Sequence, residues 1–341
     1  MTFYLIGIDH KTVRLSVREG AHKVRRRIER FLREDMEGKA SILFTCNRVE
    51  VYGIGEDFLE AKENISLICE AFPEVFKDAY TEYGTHKVLV HALRLAIGLE
   101  SQLLGEKEIM KQLKSWTGKG ELNQHLKVMW GKVLKGAEVI RRATGLEGES
   151  NIARIVMEDI SGKLSSNGKT AIAIIGTGKV AELFAKENNG LYDLYFIARK
   201  KHSKARRLAK LSGGSAEVKE DLLDAIGSVD VLISATSSPH YVLKKRELLS
   251  ALKKRNKAFY IYDLAVPRDI EPDVWDTNGL YLDDIDTLSP KFRKEGDKFL
   301  HEAALADILI VKAADEIKGD INYYADSINR YAAKSAGLKT A

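Results

Sequence analysis

A short apolar segment followed by a glycine-rich turn constrains the fold of this chain more than any other feature. Ala171–Ile175 is entirely apolar, which is typical of a parallel strand buried on both faces. Gly176, Gly178 and Ala181 follow in the G-x-G-x-x-G/A pattern and lead into a helical pattern. The glycines let backbone N–H groups approach a pyrophosphate at the helix N-terminus. The stretch therefore predicts a Rossmann-like α/β domain that binds a dinucleotide.

The residues after the second strand of that domain indicate which nicotinamide cofactor binds. NAD-specific sites usually place an acidic residue there to hold the ribose hydroxyls. This chain instead has Arg199 and Lys200 after the apolar run 194–198. Because a guanidinium suits a 2′-phosphate, we expect NADPH rather than NADH. The predicted cofactor-binding residues are Gly176, Thr177, Gly178, Lys179, Val180, Ala181, Arg199 and Lys200.

The periodicity of apolar residues changes along the chain and predicts three domains. The 341 residues are too many for one hydrophobic core. Residues 1–150 mix strands and helices without regular alternation, which predicts an α+β domain. After a connecting helix over 151–166, strands and helices alternate to residue 288, as in a doubly wound parallel sheet. Residues 289–341 are predicted to be helical, and their apolar content predicts a homodimer contact.

Composition narrows the class of protein. The chain is 45% hydrophobic and 30% charged, and its N-terminus is predicted to be a strand rather than a signal peptide. Because no run of eighteen apolar residues occurs, we expect no membrane span. Two isolated cysteines indicate neither a disulfide framework nor a zinc site, so a reducing cytoplasm is expected. Basic clusters at 23–33 and 199–210 could bind phosphates, although such clusters are more often solvated helix faces.

Cys46 lies in a polar break, Thr45–Arg48, between two segments with strand patterns. A thiol is a useful nucleophile only as the thiolate, which a nearby cation such as Arg48 favours. On its own, a half-buried inert cysteine explains this stretch equally well. A thiol together with a separate hydride-donor domain favours acyl transfer to sulfur followed by hydride delivery. Cys69 shares an apolar helical stripe and is predicted to be a small buried hydrophobe.

Several segments, distributed over nearly the whole length, resemble the motifs of the glutamyl-tRNA reductase family. Near the N-terminus these are a His-Lys-Thr segment and an Arg-Glu pair, and the cysteine motif is Thr-Cys-Asn-Arg followed by Glu and Tyr. The matching residues are His10-Lys11-Thr12, Arg18-Glu19, Thr45-Cys46-Asn47-Arg48 with Glu50 and Tyr52, His91 with Arg94, Ala96, Gly98, Leu99, Glu100 and Ser101, Leu104-Gly105-Glu106-Lys107-Glu108-Ile109, and Val266-Pro267-Arg268-Asp269.

The resemblance implies an α+β N-terminal catalytic domain, a Rossmann-like NADP-binding domain and a long C-terminal helix. It implies that Cys46 attacks the ester carbonyl of glutamate on its tRNA. NADPH then reduces the thioester to glutamate-1-semialdehyde, the first step of the five-carbon route to 5-aminolevulinate and tetrapyrroles. His91 is implied as the second catalytic residue, a polariser or acid–base group, and Arg48 as a carboxylate clamp. The implied substrate-binding residues are Thr45, Asn47, Arg48, Ser101, Glu106, Lys107, Glu108 and Gln112.

Two departures from the family pattern qualify the expectation. The family's usual Gln is replaced by Glu108, whose carboxylate could not offer an amide N–H to the substrate. The helical segment from about Phe292 onward is short, which predicts a short or truncated dimerisation segment. The expected partners are glutamyl-tRNA, a second copy of the chain and glutamate-1-semialdehyde aminomutase. The alternatives are an NADP-dependent dehydrogenase of a small acid with a structural Cys46, and a non-catalytic NADPH-sensing regulator.

Overall fold

The structure is a computed structural model, and its described residues form two compact units. The first unit comprises Met1–Val13, Val24–Glu149 and Gly296–Ala341, and the second comprises Arg14–Lys23 and Ser150–Glu295. This division differs from the three predicted domains, which stay a prediction. The described residues are 1–118, 122–146, 151–164, 169–198, 202–212, 216–219, 222–253, 257–277 and 279–337.

An antiparallel sheet organises the first unit. Its strands are β1 (Thr2–Asp9), β2 (Ala40–Phe44), β3 (Arg48–Gly55) and β4 (Tyr80–Tyr83), in the order β2-β3-β1-β4. β3 is the inner partner of both β2 and β1, with Leu43 opposite Glu50 and Gly7 opposite Glu50 on the other side. Glu50 therefore lies in the middle of the sheet, next to the hairpin that joins β2 to β3.

Helices cover this sheet and complete the first unit. The first helix begins at Leu15, ahead of the basic cluster at 23–33, and its residues up to Lys23 belong to the second unit. Within the second unit, the backbone N–H of Leu15 donates to Asp286, 271 positions away, so no local signal marks this helix start. The helices up to residue 144 are α1 (Leu15–Glu34), α2 (Phe58–Ala71), α3 (Pro73–Phe76), α4 (Thr85–Ile97), α5 (Glu108–Thr117) and α6 (Gln124–Thr144).

The second unit contains a six-stranded parallel sheet and confirms the Rossmann-like prediction. Its strands are β5 (Ala171–Ile175), β6 (Asp193–Ile197), β7 (Ala216–Lys219), β8 (Val231–Ser234), β9 (Phe259–Asp263) and β10 (Leu280–Asp284). Their order, β10-β9-β8-β5-β6-β7, is that of a dinucleotide-binding fold, with a switch point between β5 and β8. The helices are α7 (Ile152–Lys163), α8 (Lys179–Glu187), α9 (His202–Leu211), α10 (Leu222–Ser228), α11 (Lys245–Leu252) and α12 (Ser289–Gly296).

The long C-terminal helix predicted from the sequence is α13 (Leu300–Gly337). It packs against α4 and α6 and buries one stripe in the core of the first unit. The buried stripe consists of Ala306, Ile310, Ala314, Ile317 and Ile321. Part of the apolar content that suggested a dimer contact is therefore buried within the chain itself. No helix in the described ranges is both long enough and apolar enough to span a bilayer.

Candidate active site

Cys46 lies at the tip of the hairpin between β2 and β3. The N–H of Thr45 donates to the carbonyl of Arg48 at 3.0 Å, which closes the turn. The Thr45 hydroxyl oxygen accepts from the N–H groups of Asn47 at 3.3 Å and Arg48 at 3.2 Å. Cys46 is partly exposed and is not disulfide-bonded. Thr45 thus fixes the backbone on both sides of Cys46, a residue that is partly exposed.

Beneath the hairpin, Arg48 and Glu50 form a buried ion pair. Arg48 Nη1 lies 2.6 Å from Glu50 Oε1, and the two side chains are 1% and 0% exposed. Tyr52 and Tyr80 also donate their hydroxyls to the Glu50 carboxylate. Burial alone would raise the pKa of Glu50, but the charge of Arg48 and the contact with His91 hold it well below its usual range. Glu50 is therefore an ionised acceptor around which four side chains are ordered.

His91, on α4, completes this cluster. Its Nε2 lies 2.9 Å from Glu50 Oε1, and its ring packs beside those of Tyr80 and Tyr52. Because an ionised carboxylate only accepts hydrogen bonds, the network assigns a proton to Nε2 of His91. Nδ1 is the other ring nitrogen, and the hydrogen bond to Glu50 does not use it. His91 keeps 15% of its side chain exposed, so the ring is not closed off inside the core.

The loop between α4 and α5, residues 98–107, is drawn to the hairpin by Arg48. Arg48 Nη2 donates to the carbonyl of Glu100. The Glu100 carboxylate accepts hydrogen bonds from Lys11 and Arg94, each at 2.6 Å. Burial alone would raise the pKa of Glu100, but these hydrogen bonds lower it to about 2. The buried guanidinium of Arg141 donates to carbonyls at Ile97, Gly105 and Glu106 and so shapes the other end of the loop.

The remaining predicted substrate residues divide into two groups. Ser101 hydrogen-bonds the carboxyl of Glu106, whose pKa is raised by burial, so both belong to the loop that Arg48 and Arg141 hold. Lys107 and Gln112 are exposed, and no contact in the described part of the chain ties Gln112 to the hairpin. Glu108 accepts from Lys111 at 2.7 Å, which partly neutralises the carboxylate that replaces the family's Gln.

Asn47 and Cys69 have contrasting environments. The side-chain Oδ1 of Asn47 is buried and meets no donor among the described residues. An unsatisfied buried acceptor costs free energy, and a ligand N–H would relieve that cost. Cys69 on α2 is half-buried rather than fully buried as predicted, and burial raises the pKa of its thiol. Cys69 therefore lacks the features of an activated nucleophile.

In the second unit, a cleft of about 590 Å³ opens at the carboxyl ends of β5, β6 and β8. Gly176 has φ +113°, and a Cβ there would lie 2.5 Å from the carbonyl oxygen of Ala235. Gly178 precedes α8, and a Cβ there would meet nothing within 4 Å, so this is open space beside a helix N-terminus. The cleft lining includes the predicted residues Gly176, Thr177, Gly178, Lys179 and Val180. Ala181, in the first turn of α8, is instead buried.

Other lining residues of the cleft were not predicted from the sequence. They include Lys204 on α9 and the loop Thr236–Ser238 after β8. Asp269, fully buried, accepts from the N–H of Thr236 at 2.9 Å, and its own carbonyl accepts from Val242, another lining residue, at 2.7 Å. Burial and the charge of Asp269 raise the pKa of neighbouring Asp263 to about 8. Arg199 and Lys200, the residues predicted to select NADPH, lie outside the described residues.

Comparisons with known proteins match the segments that contain the two sites. The family model "Glutamyl-tRNAGlu reductase, N-terminal domain" matches residues 6–144, and "Shikimate / quinate 5-dehydrogenase" matches residues 158–290. The glutamyl-tRNA reductase of Methanococcoides burtonii is 31% identical over 313 residues, covering 88% of this chain and 72% of that protein. The same-named protein of Maridesulfovibrio salexigens is 30% identical, covering 90% and 72%.

A solved structure extends the likeness to the fold. Glutamyl-tRNA reductase from Methanopyrus kandleri matches with a TM-score of 0.50 and 25% identity over 94% of this chain and 81% of that chain. The parallel sheet and its cleft, with a thiol in a separate unit, define a nucleotide-dependent oxidoreductase, and its fold implies a nicotinamide cofactor. By sequence identity over most of its length, the chain belongs to the glutamyl-tRNA reductase family.

Proposed function

We propose that this chain reduces the glutamate of glutamyl-tRNA to glutamate-1-semialdehyde through a thioester at Cys46, at the start of tetrapyrrole synthesis. The observation that carries the proposal is the placement of Cys46. Its partly exposed thiol lies at the tip of a hairpin that is fixed from below by the Arg48–Glu50 pair. A purely structural cysteine would not need such a support. Neither alternative, a dehydrogenase of a small acid or a regulator, explains why the hairpin that carries Cys46 is held in this way.

The covalent step uses the thiol as nucleophile. The Cys46 thiolate forms a bond to the ester carbonyl carbon, the C–O bond to the tRNA ribose breaks, and the released hydroxyl takes up a proton. We assign the proton transfers to Nδ1 of His91, because Nε2 is fixed as a donor by Glu50. When bound, NADPH supplies the hydride that reduces the thioester carbon, and the thiolate of Cys46 departs as the aldehyde forms.

The free groups of the esterified glutamate are an α-ammonium and a γ-carboxylate. We assign the ammonium to the unsatisfied Oδ1 of Asn47, with the carboxyl oxygens of Glu106 and Glu108 as further acceptors. We assign the γ-carboxylate to the positive charge of Arg48 beneath the hairpin, supported by Thr45. Ser101, Lys107 and Gln112 complete the proposed substrate set.

We propose NADPH as the cofactor on the strength of the cleft and its surroundings. Gly176 and Gly178 permit close approach to a pyrophosphate, and Lys204 adds a cation to those expected from Arg199 and Lys200.

We further propose a homodimer in which exposed apolar residues of α13, such as Leu305 and Ile308, take part. Contact with glutamate-1-semialdehyde aminomutase and a cytoplasmic location complete the proposal.

Oxidation of NADPH with different substrates tests the function. We expect oxidation with charged glutamyl-tRNA, and none with free glutamate or with uncharged tRNA. Oxidation with a free small acid would favour the dehydrogenase alternative. Tight NADPH binding with no turnover of any of these substrates would favour the regulator.

A further inference from the structure

One face of α1 carries a row of arginines that the proposed chemistry does not use. Ile28 and Leu32 point into the first unit and are at most 2% exposed. Arg26, Arg30 and Arg33, spaced i, i+4 and i+7, lie on the opposite side of the helix and are all exposed. We call these three residues the arginine ridge. At 1.5 Å per residue it extends over roughly 10 Å of helix axis.

The ridge is distinguished from its neighbours by its contacts. Arg25 pairs with Glu29 at 2.7 Å and lies over the Phe44 ring, and Arg27 pairs with Glu74 at 3.5 Å. Within the described residues, Arg26 and Arg30 make no ion pair with any acid. In the described ranges Arg33 pairs only with Glu34, and the two side chains are 70% and 58% exposed, so the pair is strongly screened.

A solvated helix face normally mixes charges of both signs, because unlike charges at i, i+4 stabilise the helix and like charges destabilise it. The ridge instead places Arg26 and Arg30 four residues apart with no acid between them on that face. This repulsion is relieved by an anionic ligand. Guanidinium groups bind phosphates in a bidentate manner, and three of them in a row fit a polyphosphate strand.

The kind of polyanion follows from two further features. An interfacial membrane helix needs an exposed apolar face, whereas the apolar face of α1 is buried within the protein. The neighbouring Arg25 lies 4.9 Å from the ring centroid of Phe44, the residue that ends β2 just before the Cys46 hairpin. A nucleic acid whose 3′ end reaches Cys46 would therefore have its backbone on the side of the unit that carries α1.

We propose that the arginine ridge binds the phosphate backbone of the tRNA whose glutamate reaches Cys46. This inference rests on the proposed function for the identity of the RNA. It gives the ridge a role in binding the RNA backbone and no role in the chemical step. Contacts of this kind are independent of base sequence and release counterions. The ridge therefore sets the affinity for tRNA and its dependence on salt, and leaves the covalent step unchanged.

The test compares two triple variants that remove the same charge from the first unit. One is R26Q/R30Q/R33Q. The matched control is K127Q/K135Q/R142Q, which neutralises exposed cations on α6. Binding of uncharged glutamate tRNA is measured over a range of salt concentrations, and steady-state kinetics are measured with the charged form. The conservative variant R26K/R30K/R33K keeps the charges and serves as the rescue.

For the ridge variant we expect the slope of log affinity against log salt to become shallower by about two to three, close to one for each phosphate that the variant no longer neutralises. KM for glutamyl-tRNA should rise at least about tenfold at low salt, with kcat within about twofold. The control variant and the lysine variant should keep a slope near that of the wild type.

An unchanged slope in the ridge variant would overturn the proposal, and so would an equal decrease of affinity in both glutamine variants, which would indicate bulk charge alone. Loss of binding to vesicles of phosphatidylcholine and phosphatidylserine, with tRNA binding retained, would assign the ridge to membranes and also overturn it. If the wild type binds tRNA through the ridge but does not reduce charged glutamate, the proposed function fails while the ridge assignment stands.

Discussion

The thiol site and the nucleotide cleft are built by different physical means. In the cleft, the decisive elements are backbone conformation and open space around Gly176 and Gly178, which follow one buried strand. In the thiol site, the decisive element is the side chain of Glu50, which orders Arg48, Tyr52, Tyr80 and His91 from three different elements. A site made by local backbone is sensitive to added atoms, and a site made by a charge network is sensitive to removal of a charge.

The largest expected effect comes from removing the charge of Glu50. Glu50→Gln keeps the shape but leaves the guanidinium of Arg48 buried without its counter-ion. We expect a loss of about 3–5 kcal/mol in the free energy of unfolding, together with loss of activity as His91 loses its ionised partner. Urea unfolding and turnover with glutamyl-tRNA measure the two effects.

The control is Glu60→Gln, which removes a carboxylate from a partly exposed pair with Lys39 at 2.9 Å. That change should cost no more than about 1 kcal/mol. Equal stability losses in the two variants would show that the Glu50 network does not organise the site.

The second effect comes from the two glycines of the cleft. Replacing them one at a time separates an effect on folding stability from an effect on cofactor binding. Gly176→Ala forces a Cβ against the carbonyl of Ala235 and a positive φ on alanine, so both stability and cofactor binding should fall, the former by about 1–3 kcal/mol. Gly178→Ala adds its Cβ to open space, so stability should change by less than about 0.5 kcal/mol. We expect NADPH affinity to fall about tenfold in Gly178→Ala as well. Thermal melts and fluorescence titration with NADPH provide the measurements, and unaltered NADPH binding in Gly178→Ala would argue against a pyrophosphate at this turn.

Cofactor preference should respond to the residue after β6. Arg199→Asp removes the guanidinium expected at the 2′-phosphate and introduces repulsion, so the affinity for NADPH should fall about tenfold or more. The affinity for NADH should change little. The ratio of the two dissociation constants is the measurement, and a parallel loss for both cofactors would count against the assignment.

The smallest expected effect is a pH dependence confined to the second unit. The folded state holds the proton of Asp263 up to a pKa of about 8, whereas the unfolded chain releases it near the ordinary carboxyl pKa of about 4. Between these values the folded state binds more protons than the unfolded state, so stability declines as the pH rises. The stability of Asp263→Asn relative to the wild type should therefore improve from pH 5 to pH 8, by an amount on the order of 1–3 kcal/mol. Denaturant unfolding at both pH values would show a constant difference if Asp263 titrates normally.

The two regions also differ in what the sequence could predict. The strand Ala171–Ile175 and its glycine turn are local features, so the parallel sheet was predicted correctly, and five predicted cofactor-binding residues, 176–180, line the cleft. The motif residues Thr45 to Arg48 identified the hairpin for the same reason. The internal role of Glu50 was not predicted, because an alternating run such as Val49–Tyr52 normally turns its charged residue to solvent. In the structure, helices α2 and α6 both contact β3, and Glu50 is fully buried instead of facing solvent.

Long-range partners account for the other differences from expectation. Asp269 holds the cleft loop at Thr236, and Lys204 lines the cleft, because of an order of strands that composition and periodicity do not encode. Arg141 on α6 holds the loop at residues 98–107 through hydrogen bonds about forty positions away in the chain, with donors directed at carbonyl groups that no sequence pattern marks. Such interactions become visible only when the elements are packed together.

Trapping of labelled glutamate on the protein tests the central claim most directly. Wild type, Cys46→Ser and Cys69→Ser are mixed with radiolabelled glutamyl-tRNA without NADPH and quenched with acid. We expect label on the wild type and on Cys69→Ser, slow discharge of the tRNA by both, and neither label nor discharge with Cys46→Ser, which should still bind NADPH. Label on Cys46→Ser, or semialdehyde formed by it at the wild-type rate when NADPH is added, would contradict the thioester mechanism.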